Sequence, residues 1–220
     1  FFFFFPSAEQ AELLDNIQPM MKVLTDGLGI EVEGFVTSDY SGLLVAMGSG
    51  QADVGAFATL GYVTAMNAFP TRFEAIAKSV RYGSGSYHAT FWTTDASVCK
   101  STPVIGAFEN INGVATLVTG SETTPPDVKA LQVGWGFGDD GLIPEVRDGV
   151  TTSPGLACEA DLSVMLGEEV LFVEEGSTSG YLYPSLQLKN AGIDYTSDII
   201  QRFAGSHDGV IAGLYNGDAK

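Results

Sequence analysis

The stretch Glu175-Gly176-Ser177-Thr178-Ser179-Gly180-Tyr181 decides how the rest of the chain is interpreted. It follows an apolar run at 170–173, typical of a buried strand, and precedes a helical pattern at 181–189. Three adjacent hydroxyl side chains are therefore predicted at a strand-to-helix corner. Because the first amides of a helix have no internal partner, such a corner is suited to hold an oxyanion without help from Lys or Arg.

The same three residues have a simpler interpretation as helix caps. Ser and Thr are favoured at the N-cap, where a side-chain oxygen accepts a hydrogen bond from a backbone amide of the first turn. The run of three hydroxyls between Gly176 and Gly180 favours anion binding about as strongly as capping. On the residues alone, both interpretations stay open.

Charge and composition restrict the class of protein. The 220 residues include 27 acidic and 10 basic side chains, giving a formal net charge of −17, and no Lys or Arg cluster of the kind that binds a phosphate backbone occurs. Nucleic acid is therefore not a predicted partner. No apolar run reaches the roughly 18 residues that cross a bilayer. An anion site in so acidic a chain must use local, oriented donors rather than the overall potential.

The two cysteines, Cys99 and Cys158, lack CxxC spacing and histidine neighbours at metal-ligand spacing, so neither a metal nor another cofactor is predicted. We expect them to form a disulfide, which implies an oxidising compartment. Such a bond would close a loop of about 60 residues and contribute about 4 kcal/mol in the chain-entropy model. Two buried free thiols are the alternative.

Apolar spacing in the first half of the chain predicts alternating helices and strands. Ser7 and Gln10 have capping-box spacing before a helical pattern that ends at Gly27 and Gly29, and Pro19 is expected to break or restart that helix. Asp39 is expected to cap the next helix or to lie in the turn before it. The predicted strands are 30–36, 54–57 and 75–80, and the predicted helices are 43–47 and 62–68. This alternation is typical of a doubly wound parallel sheet, with ligands at the carboxyl ends of the strands.

The predicted strands and helices alternate less regularly in the second half of the chain. A β-rich run covers 87–94, and a crossover between lobes is expected near 91–95. Short apolar runs at 114–118 and 131–135 predict hairpins rather than a long coil. The segment 193–203 is expected to be helical or extended, and a final helix is expected over 210–215.

Several segments resemble, in the same order, the phosphate/phosphite/phosphonate-binding proteins of ABC transporters. The Ser-Thr-Ser-Gly-Tyr run and the later Gly-Ser-His-Asp turn are the more specific of them. The resemblance rests on Asp39-Tyr40, Gly50-Gln51-Ala52-Asp53-Val54-Gly55, Gly85-Ser86-Tyr87, Ser177-Thr178-Ser179-Gly180-Tyr181-Leu182, Lys189-Asn190-Ala191-Gly192-Ile193-Asp194 and Gly205-Ser206-His207-Asp208.

The resemblance implies an α/β fold of two lobes, the type II fold of periplasmic-type solute-binding proteins, with doubly wound mixed sheets. Residues 1–92 would form the first lobe and 93–220 the second, with an insertion at about 99–161. The chain would then stop before the return to the first lobe. The implied protein is an exported receptor, periplasmic or on the cell surface, either free or lipid-anchored. It would capture phosphate, phosphite or a phosphonate in an interlobe cleft and deliver it to an ABC transporter permease.

The resemblance also implies a ligand set. Ser177, Thr178 and Ser179 would bind the phosphoryl oxygens, while Tyr40, Tyr87 and His207 would donate from across the cleft or beside it. Tyrosyl, hydroxyl and imidazole donors suit a tetrahedral oxyanion, and a protonated His207 would supply positive charge.

Less specific interpretations of the same residues remain. The tyrosines could pack with their hydroxyls in water, and His207 with Asp208 could be a surface or capping pair. Ser7 is a weaker candidate contact, at the first turn.

Two other functions compete with the receptor. A hydrolase would need Ser177 or Ser179 as nucleophile, His207 as base and Asp208 to orient it, but adjacent residues seldom orient each other in this way and no GxSxG elbow is present. An acidic surface protein without a small-molecule ligand is the other alternative. We expect a binding protein rather than an enzyme.

Overall fold

A computed structural model describes residues 1–80, 89–100, 102–111, 114–119, 131–134 and 155–219. The chain groups into two compact units, each assembled from three segments. Unit 1 contains Phe1–Ile76, Phe172–Leu182 and Phe203–Ala212, and unit 2 contains Ala77–Leu171, Tyr183–Arg202 and Gly213–Lys220. Unit 1 therefore includes the hydroxyl corner together with the N-terminal residues. The lobe boundary after residue 92 stays a prediction.

A three-stranded parallel sheet forms the centre of unit 1. Strand β1, Phe2–Phe4, lies between β2, Gly34–Val36, and β3, Val54–Ala56. Parallel neighbours need a crossover connection, and helices supply it here: α1 spans Gln10–Leu28, and α2 spans Tyr40–Ser49. A third helix, α3, spans Thr59–Ala68 and follows β3. The predicted alternation of strands and helices is confirmed for these elements.

Helix α1 differs from its prediction in two ways. Its N-cap is Glu9, without a side-chain cap, so the capping box expected from Ser7 and Gln10 is wrong. The Gln10 side chain instead donates from Nε2 to the carbonyl of Val36 at 3.0 Å. Pro19 lies inside the helix without ending it. Ile17 and Met21, on either side of Pro19, are buried, and their packing holds the helix together at that point.

The strand predicted at 75–80 is not formed. Residues 73–80 have no regular secondary structure, and Ile76 and Val80 are 78% and 66% exposed. A strand needs a neighbour that accepts its backbone hydrogen bonds, and the described part of the chain provides none at this segment.

Unit 2 contains a mixed five-stranded sheet. Strands β5 and β6 form the antiparallel hairpin expected within the 99–161 segment, and β7 pairs in parallel with β8. In spatial order the strands are β4 Phe91–Thr93, β7 Leu131–Gly134, β8 Gly155–Glu159, β5 Val104–Ile111 and β6 Val114–Thr119.

The predicted disulfide joins Cys99 to Cys158, with their Cα atoms 5.6 Å apart. Cys158 lies on β8 and is fully buried beside Phe91 and Ala160. The bond thus fastens the segment before β5 to a central strand of the sheet. The alternative of two free thiols is wrong.

The remaining elements lead into the hydroxyl corner and away from it. Strand β9 pairs with β10 in a two-stranded sheet, and β9 is followed by a π-helix that continues directly into α4. Their bounds are β9 Glu169–Phe172, the π-helix Thr178–Leu182, α4 Tyr183–Asn190, β10 Ile200–Phe203 and α5 His207–Asn216, and short 3-10 turns cover Ala96–Val98 and Leu162–Met165. Within the described ranges, every helix is too short or too polar to cross a membrane.

Candidate functional site

The hydroxyl corner is buried and internally hydrogen-bonded. Ser177 and Thr178 are each 2% exposed, while Ser179 is partly exposed. The hydroxyl oxygen of Ser177 accepts a hydrogen bond from the Gly180 amide at 3.1 Å. Ser177 therefore caps the π-helix, as the simpler interpretation expected. Because its oxygen serves as an acceptor from the amide, its own O–H proton points elsewhere as a donor.

Thr178 contacts a different helix. Its hydroxyl oxygen accepts a hydrogen bond from the backbone amide of Leu60, in the first turn of α3, at 2.8 Å. Helix α3 begins after Ala58, whose side chain cannot cap it. Thr178 thus supplies from a distant segment the oxygen that α3 lacks locally.

The first turn of α2 is capped by two carboxylates. Asp39 accepts from the Gly42 amide at 2.6 Å and from the Ser41 hydroxyl at 2.7 Å. These hydrogen bonds, with that of the Ser41 side chain the stronger, hold the pKa of the Asp39 carboxyl below its usual value. The Glu174 carboxylate accepts from the Tyr40 amide, with Oε1 at 3.1 Å and Oε2 at 3.3 Å. The cap predicted at Asp39 is confirmed, and Glu174 is a second capping residue that was not predicted.

Two glycines allow the corner to pack this closely. A Cβ atom on Gly176 would lie 2.7 Å from the Cβ of Tyr40, and one on Gly180 would overlap the side chain of Val173. Real Cβ atoms do not approach other heavy atoms so closely, so any larger residue would push the corner away from α2 or from its own strand. Gly176 and Gly180, which flank the three hydroxyl residues, therefore have a packing role.

Of the two tyrosines predicted as ligands, the structure describes only Tyr40. Tyr40 is 8% exposed, and its ring packs against Phe5 with a centroid distance of 4.7 Å. The structure brings Tyr40 directly against the hydroxyl corner through Glu174 and Gly176. Tyr87 lies outside the described residues.

The second loop-to-helix corner, 204–208, lies beside the first. The amides of Ala204 and Gly205 donate to the carbonyls of Phe172 and Val173 at 2.9 and 2.8 Å. Ser206 caps α5 by accepting from the Gly209 amide at 3.0 Å. The two backbone hydrogen bonds thus hold the start of α5 next to the end of β9.

His207 begins α5, and its backbone amide donates to the Ser7 carbonyl at 3.4 Å. Burial by surrounding protein atoms lowers the pKa of the His207 imidazole, although the Asp208 carboxylate opposes this effect. The residue as a whole is nevertheless exposed to solvent. Ser7 contacts His207 through its backbone carbonyl, and its role as a weaker ligand contact stays a prediction.

The described candidates thus share one unit, and three of the segments that surround the site follow the strands of its parallel sheet. Ser7 follows β1, Asp39 and Tyr40 follow β2, Leu60 follows β3, and the hydroxyl corner follows β9. In open α/β folds the carboxyl ends of such strands are where helix amides point at ligands. The arrangement concentrates hydroxyls that can donate to an oxyanion, and backbone amides orient two of them.

Within the described ranges, the geometry does not assemble the Ser/His/Asp arrangement that a hydrolase would need. Among the described residues, no hydrogen bond joins Ser177 or Ser179 to His207, and Ser177 is bonded to the Gly180 amide instead. In the same part of the chain, no group of three or more His, Cys, Asp or Glu side chains is arranged to hold a metal ion. The chemistry that the arrangement supports is hydrogen bonding.

Two residues that form hydrogen bonds at the site were not predicted from the sequence. Leu60 contributes through its backbone amide, for which an apolar side chain gives no signal. Glu174 could have been noticed in the sequence, because it follows a predicted buried strand directly and precedes the hydroxyl corner. A carboxylate at such a position is unusual in an anion site. Its role depended on the proximity of α2, which local sequence does not reveal.

The chain is similar to known proteins in both sequence and fold. The model of a family described as phosphonate-binding, the periplasmic substrate-binding proteins of ABC transporters, matches residues 2–220. The phosphate-import protein PhnD of Mycolicibacterium smegmatis (strain ATCC 700084 / mc(2)155) is 23% identical, and the match covers 97% of this chain and 50% of that protein.

Two solved structures have a similar fold. One is PhnD1 from Prochlorococcus marinus (MIT 9301) in complex with methylphosphonate, with a TM-score of 0.56 and 17% identity over 100% of this chain and 60% of that chain. The other is a binding-protein component of an ABC phosphonate transporter from Pseudomonas aeruginosa, with a TM-score of 0.53 and 15% identity over 100% of this chain and 54% of that chain. The predicted type II binding-protein fold is confirmed.

The chain spans about half the length of the curated relative and somewhat more of the two solved chains. The family model nevertheless covers nearly every residue, including both loop-to-helix corners. The chain belongs to the family of periplasmic substrate-binding proteins of phosphonate ABC transporters.

Proposed function

We propose that this protein is an extracytoplasmic receptor that binds a phosphorus oxyanion at the hydroxyl corner and delivers it to an ABC transporter permease. Phosphate, phosphite and small phosphonates share the tetrahedral oxygens that the site would recognise. The protein would act by binding and release, without breaking a bond. Family membership supports this role, as do two similar proteins, one a phosphate-import protein and the other solved in complex with methylphosphonate.

The observation that carries the proposal is the orientation of the two buried hydroxyls. Ser177 and Thr178 each accept a hydrogen bond from a backbone amide, so each directs its proton away from that amide. A phosphoryl oxygen bound there would accept hydrogen bonds from these two hydroxyls, which the helix amides already polarise. Hydrogen bonds in such a series strengthen one another. Ser179, Tyr40, Tyr87 and His207 complete the proposed ligand set, with Ser7 as a weaker member.

The net charge of −17 fits a site of this kind better than a site based on long-range attraction. The two central hydroxyls are each 2% exposed, and buried donors are screened little by salt. Affinity is therefore expected to change little over moderate ionic strength. A surface site made from exposed lysines would weaken strongly under the same conditions.

Calorimetric titration of the protein with phosphate, phosphite and methylphosphonate tests the function. We expect micromolar or tighter binding of at least one of them. Sulfate and acetate serve as comparison anions with different geometry or protonation. If the folded protein binds none of the three phosphorus oxyanions, the receptor proposal is wrong.

A further inference from the structure

Glu174 is a carboxylate fixed inside the turn that carries the hydroxyls. Its side chain accepts from the Tyr40 amide, and its backbone carbonyl accepts from the Ser177 amide at 2.9 Å. The residue is partly buried, and Gly176 packs against Tyr40 just after it. Both ends of Glu174 are therefore held, and its charge cannot swing away from the corner without breaking the contact with α2.

The surroundings of Glu174 are negative. Asp39 from the start of α2 and Glu175 from the same turn both repel its charge, and no Lys or Arg forms an ion pair with it among the described residues. Partial burial is the largest effect on the Glu174 carboxyl and raises its pKa, while the Tyr40 amide opposes the change. The Glu174 carboxyl is thus held three positions before the proposed oxyanion donors, with acidic neighbours on both sides.

We propose that Glu174 is a specificity-determining residue that makes the site favour singly charged phosphorus oxyanions over doubly charged ones. The inference rests on the proposed function. Repulsion from a fixed carboxylate grows with the charge of the ligand, whereas the neutral hydroxyl and amide donors serve both forms. Glu174 also uses the Tyr40 amide, so an incoming anion has one donor fewer at α2. Both effects lower the affinity for the doubly charged oxyanion more than the affinity for the singly charged one.

The test compares Glu174→Gln with Glu175→Gln. The first substitution removes the charge but keeps a side-chain oxygen that can accept from the Tyr40 amide. The second removes the same charge from an exposed neighbour for which no hydrogen bond to α2 is recorded. Both variants therefore have the same net charge, and thermal unfolding of each confirms that it is folded.

Inorganic phosphate is titrated into the wild type and both variants, in mildly acidic buffer where it is mainly a monoanion and in mildly alkaline buffer where it is mainly a dianion. We expect Glu174→Gln to increase affinity in the alkaline buffer about tenfold, the size of effect produced by one nearby charge. In acidic buffer its effect is expected to be about threefold or less. Glu175→Gln is expected to change affinity by about twofold or less in both buffers.

The outcomes separate the two proposals. If wild type and variants bind no phosphorus oxyanion, the receptor function is wrong and this inference is lost with it. If wild type binds phosphate but Glu174→Gln has the same ratio of alkaline to acidic affinity as the wild type, Glu174 is only a helix cap and the inference alone is overturned. If folded Glu174→Gln loses binding in both buffers, Glu174 is a required acceptor, which also overturns it.

Discussion

The hydroxyl oxygen of Thr178 accepts a hydrogen bond from the backbone amide of Leu60 at 2.8 Å, although the two residues are 118 positions apart in the chain. This bond links the hydroxyl corner to the first turn of α3. It also orients the hydroxyl so that its proton is available to a ligand. Stability and binding are therefore expected to depend on the same oxygen atom.

Replacing Thr178 with Val keeps the shape of the side chain and removes its oxygen. The Leu60 amide then has no acceptor, and we expect the free energy of unfolding to decrease by about 1 to 3 kcal/mol. Affinity for phosphate should also decrease at least tenfold under the proposed function. Thr178→Ser is the matched control, because it keeps the hydroxyl and loses only a methyl group, worth about 1 kcal/mol. Equal losses in the two variants, measured by denaturant unfolding and calorimetry, would contradict the role of the oxygen.

Substitution of Gly176 by Ala is expected to destabilise unit 1. The added Cβ would lie 2.7 Å from the Tyr40 Cβ, and relieving such overlap typically costs about 1 to 3 kcal/mol. Gly27→Ala provides the control, because the Cβ there would meet nothing within 4 Å and the residue lies inside α1. That change should stabilise the protein by about 0.5 to 1 kcal/mol. A Gly176→Ala variant as stable as the wild type in urea would show that the corner relaxes without cost.

Removal of the disulfide is expected to weaken unit 2. The bond joins residues separated by 59 positions, and in the chain-entropy model a loop of this size contributes about 4 kcal/mol. Reduction with dithiothreitol should therefore lower the denaturation midpoint. The double variant Cys99→Ala/Cys158→Ala should show the same midpoint with and without reductant, since the chain has no other cysteine. A wild-type midpoint that reductant leaves unchanged in the folded protein would disagree with this expectation.

His207 should couple stability to pH. Because burial lowers the pKa of its imidazole, the unfolded chain binds more protons than the folded one between the lowered pKa and the ordinary value. The free energy of unfolding is therefore expected to decrease as the pH falls through that interval. In His207→Asn this part of the pH dependence should be absent, which denaturant titrations at several pH values would reveal.

Phosphate is expected to raise the pKa of His207, because a nearby anion favours the protonated ring. Nuclear magnetic resonance can follow the imidazole signal with and without phosphate, and His207→Asn identifies that signal among the two histidines. If phosphate binds and the His207 titration does not move, His207 lies away from the ligand. The other proposed contacts would not be affected by that result.

Local patterns predicted the elements of unit 1 better than their contacts. The cap at Asp39, the alternation of strands and helices up to α3 and the corner after β9 all follow from short-range residue preferences. Pro19 shows the limit of such preferences, because packing of Ile17 and Met21 keeps α1 continuous across a residue that usually breaks a helix. The segment at 75–80 shows the same limit for strands, which need a partner that local sequence does not specify.

The candidate site was predicted in its residue types and only partly in its connections. The hydroxyl run and the His207 corner could be found because their side chains carry the chemistry. The bonds from Thr178 to α3 and from Glu174 to α2 could not, since their donors are backbone amides more than 100 positions away in the chain. Sequence identifies side-chain donors far more readily than the backbone groups that orient them.

The division of unit 1 into three chain segments affects the order in which the protein can fold. During synthesis, β1 can pair with β2 and β3 once the first 56 residues are available, but the corner that caps α2 and α3 lies more than a hundred residues later. Until 172–182 has been made, the amides of Tyr40 and Leu60 lack their native acceptors. Contacts so distant in sequence form slowly because long loops must close first. The N-terminal sheet therefore remains an incomplete folding unit until that later segment has been made.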